Sequence, residues 1–394
     1  MCRFGQTSVL CLILLLLSGC DSQLDQFDSN QVFSLALAKS EDVDMAAAQA
    51  DVSEVLKNLF GTPEVPAWPN GLLPDSRLVD ISHLRRAAGS VSSEQDGTHL
   101  GLFREHCVVC HGVVGNGSGP ASQFQNPYPR DFRSGVFKWK LSERSLKPSK
   151  DDLRSLLIRG VPGTGMPSFS LLGPEEIDAL VDYVIYLSIR GEVERRLLVE
   201  AVTRIGYGID ELPLEERLID PKNEAAQELI VTTLQRVVQQ WSEADLLGPA
   251  RSEIENFVDT HESVARGRAL FHGKVANCVG CHGADGAGGV ETLDYDDWTK
   301  EYTTKLGISP RDSEALRPFR AAGAHAPRQI HPRTLLGATL RGGDEPQRLF
   351  QLITQGIAGT PMPGVALVAE DNGKGLTESQ VWDLVSYVRS LKQN

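Results

Sequence analysis

One short order of residues occurs twice along this chain, and that duplication constrains its folding more than any other feature. Cys107-Val-Val-Cys110-His111-Gly112 returns as Cys278-Val-Gly-Cys281-His282-Gly283. Further on, Arg159-Gly-Val-Pro-Gly-Thr-Gly-Met166-Pro167 returns as Gln355-Gly-Ile-Ala-Gly-Thr-Pro-Met362-Pro363, and between them Pro129-Arg130-Asp-Phe132 matches Pro332-Arg333-Thr-Leu335. Each copy closes on an apolar stripe: Ile177, Leu180, Val181, Val184 and Leu187 in the first, Val381, Leu384, Val385, Val388 and Leu391 in the second. That spacing describes one face of a helix. Thr377 with Gln380 predicts a capping box, and Pro174 suits a first helical turn. Two folded units in tandem follow from the repeat.

The remainder of the 394 residues is arranged around these units. The expected order is a leader over 1–19, a polar tether with a short helix over 20–94, the first unit over 95–190, a helical connector over 191–261 and the second unit over 262–394. Within the tether a helix is predicted from Val43 to Phe60, with Met45 as a packing residue. In the connector Ala226, Ile230, Leu234, Val237 and Trp241 repeat at helical spacing and read as packing. The second unit is the longer, and its excess near 290–327 has no clear period; it is expected to run over the domain surface. The fold class is mainly α.

Two cysteines three apart on a helical turn project from one face, where they can reach the two vinyl groups of one porphyrin. The histidine that follows the second cysteine is then placed beneath the iron. Helices should lead into both motifs, with Thr98 capping the first and Leu102, Phe103 and His106 along it, and with Leu270 and Phe271 on the second. Structural zinc would need four ligands, but the two pairs are far more widely separated than in zinc ribbons. A thioredoxin-like pair would sit in a βαβ pattern, which neither flank shows. Disulfides would not explain a histidine after both pairs. Covalent haem at Cys107/Cys110 and Cys278/Cys281, with His111 and His282 on iron, is the reading that accounts for all six.

The chain has only four methionines, and Met166 and Met362 occupy matched Gly-Thr-x-Met-Pro loops. These are the candidate second axial ligands. Sulfur there raises the reduction potential and fills the iron, which leaves an electron carrier and no open position for substrate. A ligand histidine usually donates its other N–H to a carbonyl. The glycine-rich stretches Gly115–Pro120 and Gly286–Gly289 are the expected sources. Arg130 and Arg333 are candidates for propionate contacts, because a guanidinium binds carboxylates bidentately. His83, His99, His106, His261, His272, His325 and His331 show no ligand spacing and read as surface or packing residues.

The seven cysteines then divide cleanly, since Cys2, Cys11 and Cys20 lie at the start of the chain. Arg3 followed by the apolar run Val9 to Leu17 describes an export signal, too short to span a bilayer stably. Leu17-Ser18-Gly19-Cys20 resembles the bacterial lipobox, which implies cleavage before Cys20 and lipid attachment to it. The formal charge of −13 argues against nucleic acid as a partner. Its acidity lies mostly in the tether and connector.

On Cys-x-x-Cys-His and Gly-Thr-x-Met-Pro, the chain resembles the exported dihaem cytochrome c family, two class I-type domains in tandem. The order is also similar to the dihaem subunit of cbb3-type cytochrome oxidases. The resemblance implies two cytochrome c-like domains, each wrapping one haem c. It implies a carrier between redox protein partners in respiration, lipid-anchored at Cys20 on the periplasmic side of the cytoplasmic membrane. The other readings are a dihaem peroxidase-type enzyme, which needs one iron able to open, and an electron-entry subunit of a terminal oxidase complex.

Overall fold

The computed structural model describes residues 26–73, 77–209, 211–247, 257–289, 294–371 and 373–392. The leader and Cys20 lie outside them. The described chain is mainly helical, with one short antiparallel pair, Ser92–Ser93 against His99–Leu100. No described helix is long and apolar enough to cross a membrane.

Two helices, not one, form the N-terminal layer. Gln31–Glu41 is capped by the Asn30 side chain, which accepts from Phe33 N at 3.2 Å; Ala46–Phe60 follows. The helix expected from Val43 therefore starts three positions late, with Met45 at its cap position and buried.

The first unit is organised by the 27-residue helix Pro174–Glu200. Pro174 opens it, and the Glu176 carboxylate accepts from Gly173 N at 2.9 Å. Ile177, Leu180, Val181, Val184 and Leu187 are all buried along it. The helix does not stop with the repeat but continues into the connector, ending in a π-helical turn over Ala201–Ile205. Buried Asp182 ties two other segments to it: the carboxylate accepts from Asp80 N at 3.0 Å and His83 Nδ1 at 2.8 Å, and pairs with Lys150 at 2.7 Å. Helix Glu224–Leu247 buries its whole predicted stripe, and Trp241 Nε1 donates to Glu192 at 2.9 Å. The stripe is packing.

In the second unit helix His261–Phe271 crosses the closing helix Glu378–Leu391. The crossing is close because Gly267 has no Cβ; one would run into the backbone of Asp383. The Thr377–Gln380 capping box forms as predicted. The first unit's approach helix is shorter, Leu102–His106, and Thr98 does not cap it. Gly101 takes the cap position in a left-handed conformation, φ +77°, with Ser90 and Val91 backbone 2.7 Å from where its Cβ would be. Thr98 is held in the preceding hairpin, donating its N–H to Asp96.

The insertion of the second unit is not a loose surface excursion. Tyr302, Ile308, Leu316, Phe319 and Ala324 make a small core of their own with Ala36 of the N-terminal helix. From there it reaches the connector and the first unit: Glu301 pairs with Arg195 of the connector, His325 Nε2 donates to Gly117 O at 2.9 Å, and Arg328 donates to Gln125 O at 2.6 Å.

Candidate functional site

One helical turn, Val108–His111, carries the first motif. Cys110 N and His111 N both donate to Cys107 O, at 3.1 and 2.8 Å, which sets the two sulfurs and the imidazole on one side of the turn. His111 Nδ1 donates to Arg130 O at 3.0 Å. That bond fixes the tautomer and leaves Nε2 with its lone pair. Burial pushes the His111 pKa down to about 4, so the ring is neutral at neutral pH. Phe132 stacks on it at 4.6 Å.

The second motif repeats this geometry on Val279–His282, with His282 Nδ1 donating to Arg333 O, again at 3.0 Å. The carbonyl partner is thus the Pro-Arg pair in both copies, not the glycine-rich stretches. Those stretches hold the other side of each histidine: Gly117 N donates to His111 O at 2.9 Å and Gly288 N to His282 O at 2.8 Å. A tight turn at these positions needs φ above +70°, which only glycine adopts readily.

The methionine loops are copies at the level of single bonds. Val161 N donates to Met166 O and Ile357 N to Met362 O, at 3.1 and 3.2 Å. Thr164 and Thr360 each give a hydroxyl to the carbonyl three residues back, at 2.8 Å in both. Met166 meets Cys107, Cys110 and His111 around one cleft, which encloses about 1140 Å³ of empty space counting its mouth. Arg130 lines it too, and so does Trp298, contributed by the second unit's insertion. Sequence reasoning missed Trp298, which lies in a stretch without period. His106 also lines the cleft, with its ring 5.9 Å from Phe169. His325 stacks on Tyr128 at 4.1 Å, and His83 belongs to the Asp182 network.

The residues fit a covalently held haem. Cys107, Cys110, Cys278 and Cys281 are free thiols, and burial pushes Cys107 up to about 12 and Cys278 up to about 11, so neither is a thiolate. Among the described residues no group of three or more His, Cys, Asp or Glu side chains could hold a bare metal ion.

A family model described as cytochrome c matches residues 101–188 and 264–392. No curated protein matches the chain. Among solved structures it is similar to the Kuenenia stuttgartiensis reducing HAO-like protein complex, at 19% identity and a TM-score of 0.46, covering 74% of this chain and 94% of that one.

Proposed function

Since the chain belongs to the cytochrome c family, and so carries haem c and transfers electrons through it, we propose that it is a dihaem carrier whose two irons are both ligated by histidine and methionine. Cys107 and Cys110 hold one haem and Cys278 and Cys281 the other by thioether bonds; His111 with Met166 and His282 with Met362 are the axial pairs. Haem supplies a one-electron couple, Fe(III) to Fe(II), when bound. The chain's part is to hold it. The carbonyls of Arg130 and Arg333 orient the imidazoles, and the duplicated threonine bonds fix the sulfur loops. The observation that carries this reading is that both halves of each ligand set are duplicated down to single hydrogen bonds.

The carrier is anchored by lipid at Cys20 on the periplasmic side of the cytoplasmic membrane and exchanges electrons with respiratory protein partners. Absorption of the ferric protein tests the ligation. The methionine–iron charge-transfer band should appear at an intensity of two per chain, and fall by half in Met166→Ala and again by half in Met362→Ala. A wild-type band worth one haem would defeat the assignment and return the peroxidase-type reading. Cys20→Ser should move the protein from the membrane fraction to the soluble one.

A further inference from the structure

The two units meet along a seam in which arginines of each reach the methionine loop of the other. Arg144, from the first unit, donates to Met362 O at 2.6 Å and Thr360 O at 2.9 Å. Arg341, from the second, donates to Gly163 O at 3.4 Å. The crossing repeats at the Pro-Arg pairs. A Cβ built on Gly163 would lie 3.5 Å from the Arg333 guanidinium, and one built on Gly359 would lie 3.5 Å from that of Arg130. Gly163 and Gly359 are matched positions three residues before Met166 and Met362. Each Pro-Arg pair therefore holds its own histidine by the main chain and meets the opposite sulfur loop by the side chain.

This seam is strongly cationic. Arg130 and Lys138 lie over the Trp298 ring, at 4.6 and 4.7 Å. Lys138 also pairs with Asp296 at 2.6 Å. Arg333 and Arg341 are close enough to repel, and Arg341 Nε is buried without a partner, as are Nε and Nη2 of neighbouring Arg159. A buried donor left unpaired costs on the order of 1–3 kcal/mol, more when charged. Burial and Arg333 push Arg341 down to about 10, and burial with Arg130 beside it pushes Lys138 down to about 8. An anion would relieve both the repulsion and the unpaired donors.

We propose that Arg130, Lys138, Arg333 and Arg341 form one carboxylate-binding seam that takes the propionates of both haems, so that the charge on each unit is felt by the other. The proposal rests on the reading above, one haem in each unit. It goes further in making the two sites share their cations. Guanidinium forks suit carboxylates, and all four cations are half-buried, where a charge is screened less than in bulk water.

Spectroelectrochemical titration of the intact dihaem protein tests it. Losing a cation disfavours the reduced haem, which carries one more negative charge, by more than it disfavours the oxidised one, so Arg341→Gln should lower both midpoint potentials although Arg341 belongs to the second unit only. Arg341→Lys should restore most of the shift, and Arg154→Gln, away from the seam, should move neither. Haem content and the charge-transfer band must stay at wild-type level, which separates failure here from failure of the ligand assignment. Should Arg341→Gln lose haem, Arg333→Gln carries the same expectation. A shift confined to one haem, or none, overturns the proposal. So does a saturable shift on adding inorganic phosphate at constant ionic strength, since that would make the seam a site for free anions.

Discussion

Gly160 and Gly356 each end the helix before a methionine loop with φ near +67° and +69°. A Cβ would press on Pro167 at 2.6 Å in the first copy and on the Met362–Pro363 backbone at 2.6 Å in the second. Gly160→Ala therefore combines backbone strain with a collision, and should cost roughly 1–3 kcal/mol in denaturant unfolding of the holoprotein while weakening the charge-transfer band. The matched cysteines, histidines and methionines could be picked out from the letters because each recurs at the same place in a duplicated motif. The partner of each histidine could not. Every residue owns a carbonyl, and nothing in the letters distinguishes that of Arg130 from those of the glycine turn beside it.

Elements here are joined by a few buried polar residues as much as by apolar faces. Asp182 is 1% exposed and holds both the segment at Asp80–His83 and the helix Lys150–Arg159 against the long helix. Asp182→Ala leaves Asp80 N and Lys150 without that partner and should destabilise by about 3 kcal/mol, read as a lower denaturation midpoint with the dependence on denaturant unchanged. The apolar stripes and the Thr377 cap could be read in advance, since both are local. Thr98 looked equally like a cap, but its backbone was already committed to the hairpin closed on Asp96. The extent of Pro174–Glu200 was hidden for a related reason. A glycine, Gly191, falls where the repeat ends and reads as a stop, yet the helix runs through it because its missing side chain admits Arg133.

At the scale of the molecule, the insertion adds a second tie between two units that already meet along the arginine seam. Its small core rests on the N-terminal helix while its edges bond to the first unit. The two haem units should accordingly melt in a single calorimetric transition. Removing the core's largest rings in Tyr302→Ala with Phe319→Ala should split it in two, each truncation of this kind costing about 3–5 kcal/mol. A double transition in the wild type would show that the insertion does not couple them. None of this docking was legible, because contacts between segments nearly three hundred residues apart leave no local period to read.

The division of labour within Arg130 and Arg333 has a consequence for how such a protein can change. The grip on each imidazole belongs to the peptide bond, while the charge facing the neighbouring unit belongs to the side chain. Substitution can erase or reverse that charge and leave the grip intact. Holding the histidine and charging the seam are thus separable by single codon changes, and a lineage could vary that charge step by step without passing through a form that lets go of its histidine.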